Sequence, residues 1–241
     1  MTGVHLVVAG GAGFIGSHLC DRLIARGDRV TCLDDLSTGR IANVAAAQQS
    51  EAFRLVEHDV ADPSTLELEL DRDFGPVTAV LHLASPASPP EFLRRPFDTI
   101  AVNSRGTAHL LEIASHHGAR FLLASTSEVY GDPLVHPQPE SYTGNVNPTG
   151  VRSVYDESKR YAEMLTMTYH RELDLDVRIV RIFTTYGPRM QIEDGRVVTN
   201  FIGQALSGAP LTVYGDGSQT RSFCHVDDEV GGLLALLDGC L

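Results

Sequence analysis

The run HLVVA (5–9) passes directly into GGAGFIG, which sets glycines at 10, 13 and 16, and an amphipathic stretch over 14–26 comes next. Glycines at this spacing let the backbone turn tightly out of a strand, let another group approach it, and let the next helix lie hard against the strand. A chain that begins so is committed to a strand–turn–helix unit whose helix amino terminus faces the turn. The same alternation continues downstream. Short apolar runs at 29–33, 53–57, 78–83, 120–125, 177–182 and 211–215 predict strands. Helical periodicity over 64–70, 97–117, 154–172 and 197–206 predicts the helices between them. Strands that are Val, Ile and Leu almost throughout belong to a sheet covered on both faces. The expected fold class is α/β, a Rossmann-like doubly wound parallel sheet.

A length of 241 residues suffices for one large domain, or a main domain with a small appendage, around a sizeable core. The net charge of -12 argues against non-specific binding to nucleic acid or anionic membranes, which reward clustered Lys and Arg. It leaves room for an anionic small molecule held by a local basic patch. No apolar run approaches the length of about eighteen residues that a spanning helix needs, and no basic-then-apolar leader opens the chain, so a cytoplasmic protein is expected. Cys20, Cys32, Cys224 and Cys240 form no CxxC pair and sit among apolar neighbours, which predicts reduced, mostly buried thiols and no metal site. His116 and His117 fall at a helix end, where a positive charge is favourable. The stretch 131–152, rich in Pro, Gly and Asn, reads as an irregular loop longer than a plain connection requires.

The residues downstream give the glycine turn its meaning. A helix amino terminus beside Gly10, Gly13, Phe14, Ile15 and Gly16 offers N–H groups and a positive dipole end to a pyrophosphate. The second strand ends in Leu33-Asp34-Asp35. There Asp34 can accept hydrogen bonds from an adenosine ribose and repel a 2′-phosphate, which favours NAD over NADP. Asp59 and Val60, after the third strand, are placed by the same topology near the adenine, or form an ordinary strand-end turn. Leu83 and Ala84, at the end of the fourth strand, complete the expected cofactor wall.

Tyr155 and Lys159 are four residues apart on one helix and so share a face. A phenol is a poor base at neutral pH, and a nearby ammonium lowers its pKa. With the glycine turn upstream, the chain resembles the extended short-chain dehydrogenase/reductases that modify nucleotide sugars, the NAD-dependent epimerase/dehydratase family. The resemblance covers essentially the whole chain. Within the family it is nearest the UDP-glucuronate decarboxylases, through HLASPASPPEF (82–92), STSEVYGDP (125–133), HPQPESYTGNVNP (136–148), YDESKRYAE (155–163), YGPRM (186–190), DGRVVTNFI (194–202) and YGDGSQTRSF (214–223).

The resemblance implies an NAD-binding domain over 1–182, with a small, truncated substrate-binding portion over 183–241 interleaved with it. It implies Tyr155 as the base at a sugar hydroxyl, Lys159 on the nicotinamide ribose and Thr126 completing the triad. Oxidation at C4 places a ketone β to the C5 carboxylate, so carbon dioxide can leave before C4 is reduced again. Ser127, Glu128 and Arg221 are implied at that region, with their division of labour open. Ser127 cannot act as the acid that 4,6-dehydratases use on a departing hydroxyl, and 4-epimerases need no carboxylate there. Ser85, Pro86, Asn145, Thr184, Arg189 and Arg221 are the expected contacts to a UDP-sugar. For Arg189 and Arg221 a plain surface role stays open, and for Asn145 and Asn147 a loop-shaping one. Thr184 stands where the family usually carries Asn, and Thr143 where an aromatic is often seen. The chain ends in LLALLDGCL, whereas family members run on, which implies a shortened chain or a less complete pocket. A homodimer through the helices at 97–117 and 154–172 is also implied. The rivals are another nucleotide-sugar enzyme, an epimerase or dehydratase, and an inactive NAD-binding relative.

Overall fold

The computed structural model describes residues 3–63 and 74–239. Six strands form one parallel sheet: β1 (His5–Ala9), β2 (Arg29–Asp34), β3 (Phe53–Glu57), β4 (Val77–His82), β5 (Arg120–Thr126) and β6 (Val177–Ile182). Their order is β3-β2-β1-β4-β5-β6. The order reverses between β1 and β4, whose register pairs Ala9 with His82. Parallel sheets of this kind open a crevice at the carboxyl ends of the strands where the order reverses. The fold is the Rossmann-like doubly wound sheet that the alternation predicts.

Helix α1 (Phe14–Ala25) follows the glycine turn, and a single short turn, α2 (Ile41–Val44), follows β2. Two prolines start the next helices, α3 (Pro89–Arg94) and α4 (Pro96–Ala101), at the position where a missing N–H costs nothing. The chain then passes through a π-helical turn, Val102–Gly106, into α5 (Thr107–His117), so the region 97–117 is helical throughout, with one widened turn. Helices α6 (Ser153–Leu173), α7 (Val197–Ser207) and α8 (Val226–Asp238) complete the α-helices of the described residues. The helix expected at 64–70, and Cys240, lie outside the described residues.

Successive residues of each strand face opposite sides, and both sides are buried. Val7, Ala9, Val80, Phe121 and Leu123 meet Leu110, Leu111, Ala114 and Ala162 of α5 and α6 on one face. Leu6, Val8, Val30, Cys32 and Leu81 meet Leu19, Cys20 and Leu23 of α1, with Val230, Leu233 and Leu237 of α8, on the other. Cys20 and Cys32 are buried free thiols, and Cys224 is a half-buried one.

The expected strand at 211–215 does not form: Leu211, Val213 and Tyr214 are exposed and without regular structure. Strand propensity needs a partner edge and a face to cover, and this segment has neither. Instead β7 (Thr184–Tyr186) and β8 (Phe223–His225) pair in parallel as a separate small sheet. The stretch 131–152 carries no helix or strand beyond a bridge between Gly131 and Asn145.

Candidate active site

The glycine turn is shaped by its neighbours. A Cβ on Gly16 would lie 2.1 Å from the Gly10 carbonyl oxygen, and one on Gly10, itself at φ +80°, would lie 2.6 Å from the Ala84 nitrogen. Gly13 caps α1 in extended conformation with no side-chain cap, and the first turn holds no acidic residue. The free N–H groups and positive dipole end therefore face the crevice, whose wall includes Gly10, Gly13, Phe14, Ile15 and Gly16. Arg189, from the loop after β7, lines the same space. Its Nη2 donates to Asp21 Oδ2 at 2.6 Å, while its Nη1 is buried without a partner. An uncapped helix start and an unpaired guanidinium nitrogen suit a diphosphate.

A second branch of the crevice is lined by Asp34, Asp35, Ser37, His58, Asp59, Val60, Leu83, Ala84, Ser85 and Pro86. Asp34 is buried at the end of β2; its Oδ2 accepts from Ala12 N and its Oδ1 from Leu36 N, both at 2.9 Å. Burial pushes this carboxyl above its usual range, and the two backbone hydrogen bonds oppose the rise. Asp34 thus fastens the glycine turn to the end of β2, and it keeps lone pairs for a ribose hydroxyl. Asp59 Oδ1 accepts from Ala61 N at 2.8 Å. The residues present fit a dinucleotide along its length.

Thr126, Tyr155 and Lys159 line the first branch together with Ala124, Ser125 and Phe183. Tyr155 opens α6 and is buried. Its ring stacks on Phe92, with centroids 5.0 Å apart and planes 5° apart. Burial pushes the phenol up to about 12; its hydrogen bond with Thr126 opposes the rise, and the Glu128 charge adds to it. Lys159 is 2% exposed and donates from Nζ to the Ala124 carbonyl at 2.9 Å. Burial lowers it to about 8, against the pull of Glu163. The expectation that this ammonium depresses the phenol therefore needs correction. Lys159 is tied to the end of β5, and burial disfavours charge on both groups.

Glu163, one turn beyond Lys159, accepts from Ser125 Oγ at 2.6 Å and from Arg181 at 2.9 and 2.8 Å. Arg181 also donates to the Tyr130 hydroxyl at 2.9 Å and to the Glu140 carbonyl at 3.0 Å, which ties the irregular loop to the ends of β5 and β6.

Other expected site residues lie apart from this convergence. Glu128 lines a neighbouring groove with Asp132, Asn145, Asn147, Arg152 and Asp156, and its carboxylate pairs with Arg152 at 2.6 Å. Ser127 begins the 3-10 turn Ser127–Tyr130, half-buried. Arg221 is exposed, donates to the Thr220 carbonyl at 2.7 Å, and borders an outer groove with Val197, Phe201, Tyr214 and Phe223. At the start of β7 it is Thr185 and the preceding Phe183, not Thr184, that border the crevice, because alternate residues of extended chain face alternate sides. Asn145 Nδ2 donates to the Asp132 carbonyl, and Asn147 Oδ1 accepts from Thr149 N; both brace the loop.

Sequence reasoning missed Phe92, Asn103, Glu163 and Arg196. Phe92 and Arg196 fall inside the quoted runs 82–92 and 194–202, and the spacing of Glu163 from Lys159 was legible as one helical turn. Asn103 donates to Ser85 Oγ at 3.0 Å and Ser158 Oγ at 3.1 Å from within the π-helical turn, which no pattern in the sequence announces.

Residues 6–240 match the family model of the NAD-dependent epimerase/dehydratase family. Among curated relatives, UDP-glucuronic acid decarboxylase 2 of Arabidopsis thaliana is 56% identical over 98% of this chain and 51% of its own length. UDP-glucuronic acid decarboxylase 1 of Xenopus tropicalis is 52% identical over 97% of this chain and 53% of its own. The chain thus spans about half the length of these relatives. Among solved structures, a UDP-glucose 4-epimerase of Thermotoga maritima with UDP-glucose is 30% identical with a TM-score of 0.87, over 98% of this chain and 74% of that one. A dTDP-glucose 4,6-dehydratase of Streptomyces venezuelae with NAD bound is 34% identical with a TM-score of 0.87, over 98% and 72%.

Proposed function

The chain belongs to the NAD-dependent epimerase/dehydratase family, and from that premise we propose that it is a lyase converting UDP-glucuronate to UDP-xylose and carbon dioxide. The observation that carries this reading is the meeting of Thr126, Tyr155 and Lys159 with the glycine turn in one crevice, in a chain more than half identical to a UDP-glucuronic acid decarboxylase. NAD, when bound, supplies the hydride acceptor at the start, the donor at the end, and a positive charge while oxidised.

The residues of this chain do the rest. Gly13, the following N–H groups and Arg189 hold phosphates, and Asp34 holds a ribose and disfavours NADP. Tyr155 takes the C4 hydroxyl proton as hydride leaves C4, and returns it when the ketone is reduced. A phenol near 12 needs added positive field to act at neutral pH; the Arg196 charge supplies part of it, and Lys159 is assigned to the nicotinamide ribose. Once C4 is a ketone, the bond from C5 to the carboxylate breaks, its electron pair enters an enolate, and carbon dioxide leaves. A proton then adds at C5. We assign this region to Glu128 with Ser127, and assign Arg221 to the substrate carboxylate or diphosphate. An arginine that grips the carboxylate equally before and during its loss would not speed it, so Arg221 serves binding. Ser85 and Pro86 are assigned to the substrate side, whereas Thr184 faces away from the crevice and Asn145 braces the loop. The same reading divides the chain into an NAD-binding domain over 1–182 and a substrate portion over 183–241 interleaved with it, since α8 packs on the main sheet. It is completed by a cytoplasmic homodimer; no described helix is long and apolar enough to cross a membrane.

A second reading, an NAD-binding relative without turnover, is favoured by the placement of Glu128 and Arg221 away from the crevice. Purified protein incubated with NAD and UDP-glucuronate separates the readings. Carbon dioxide and a UDP-pentose are expected. A product of unchanged mass would mean epimerisation, and bound NAD with no product the inactive relative. Tyr155→Phe should lower turnover at least about a hundredfold while NAD affinity holds, and unchanged turnover would remove the base.

A further inference from the structure

On the groove side of Tyr155, one arginine faces two carboxylates. Arg152 Nη2 lies 2.6 Å from Glu128 Oε2, while its Nε is 3.9 Å from Asp156 Oδ2. The other Asp156 oxygen, Oδ1, is buried without any hydrogen-bond partner, on a residue only 6% exposed. The Arg152 guanidinium carbon sits 5.5 Å from the Phe92 ring centroid, and the same ring stacks on Tyr155.

We propose that Arg152 is a positioning residue that passes between the two carboxylates: on Glu128 it keeps that acid turned into the groove, and on Asp156 it releases Glu128 toward the Tyr155 crevice. The proposal rests on the reading that Glu128 acts at the sugar. Its physical ground is an imbalance. The Glu128–Arg152 pair is half-exposed, and such pairs contribute little in water. A buried carboxylate oxygen without a donor is costly, so a guanidinium moved onto Asp156 offsets the contact it gives up on Glu128, and the two arrangements lie close in energy. Phe92 gives the planar cation an aromatic face that accompanies it in either position. Glu128 then needs a new partner, and a sugar in the crevice provides one, so substrate selects the second arrangement.

The exchange depends on the charge of Asp156. The charged groups around it are Arg152 at the cap of its helix, Glu157 on that helix, Glu128 on the turn after β5, and Asp132 across the groove. Burial, reinforced by Glu128 and Glu157 and opposed by Arg152, brings the carboxyl to about 6. Above that pH it is ionised and able to receive the arginine; below it Arg152 stays on Glu128.

The test uses the full chain with NAD and UDP-glucuronate, and Asp156→Asn. Carbon dioxide release at neutral pH should fall about tenfold or more relative to C4 oxidation, read as reduced-cofactor absorbance. The fall in wild-type release below about pH 6 should vanish in the variant. In protein carrying carbon-13 glutamate, the Glu128 carboxyl resonance should move on adding UDP-glucuronate in the wild type and stay fixed in Asp156→Asn. Arg152→Lys, which keeps the charge without the fork, should reproduce the uncoupling if Asp156→Asn folds poorly. An unmoved Glu128 resonance in the wild type, or equal release with an intact acid limb in the variant, would overturn the exchange. A wild type that releases no carbon dioxide yet shows the ligand-dependent resonance shift would overturn the decarboxylase reading alone.

Discussion

Asp34 illustrates how one carboxylate can serve structure and recognition together. Its two oxygens hold Ala12 N and Leu36 N, and a Cβ on Gly39 would lie 2.5 Å from Oδ1. Asp34→Ala leaves two backbone donors to find water and should lower stability by about 1–3 kcal/mol in urea unfolding. The same variant should narrow the gap between NAD and NADP affinities by calorimetry; an undiminished gap would sink the ribose role. Asp156 shifts in the same direction as Asp34 and further, since burial disfavours its ionised form with no backbone hydrogen bond to oppose it. Its carboxyl sits near 6, above its ordinary value, so the folded state holds a proton that the unfolded state has lost between about pH 4 and 6. Stability from this group therefore falls as pH rises through that window. Asp156→Asn should show a melting temperature gain over wild type that is larger at pH 7.5 than at pH 4.5, and the reverse order would contradict the burial effect. Identities such as Tyr155 and Lys159 were legible because helical spacing brings them together. The direction in which Glu128 turns was not, since that depends on Arg152, a chance-looking arginine in the sequence.

At the scale of elements, the strands of the main sheet were legible because both faces are covered and the apolar runs are continuous. The segment 211–215 shows the limit of that signal: the same residue types, lacking a neighbour to pair with, stay exposed. The short pair β7–β8 escaped notice for the converse reason, because three-residue strands carry no period. Helix α8 was visible only as an apolar ending, yet it closes one face of the sheet against α1. Leu233, 1% exposed within that face, makes the helix a structural part of the nucleotide-binding half. Leu233→Ala should cost about 2–5 kcal/mol by chemical denaturation, whereas a loss under about 1 kcal/mol would show that α8 packs only loosely.

For the whole molecule, the reversal of strand order between β1 and β4 fixes where ligands enter, and the glycine turn announced that reversal from the first residues onward. Assembly is written less plainly. Phe97 is 82% exposed on α4, and Ile100, Tyr161 and Met164 lie exposed on α4 and α6. Helix faces of this kind suit a second copy of the chain. Phe97→Asp should convert a dimer to a monomer in sedimentation velocity; a wild type already monomeric at micromolar concentration would remove the dimer. The β7–β8 pair has a different consequence. By fastening Thr184–Tyr186 to Phe223–His225, it gathers both ends of everything between them at one stalk, beside the crevice and off the main sheet. A graft of that intervening piece from a relative with another sugar preference should carry the preference with it, provided Asp21 and Thr38 of the host still meet an Arg and a Gln at 189 and 191.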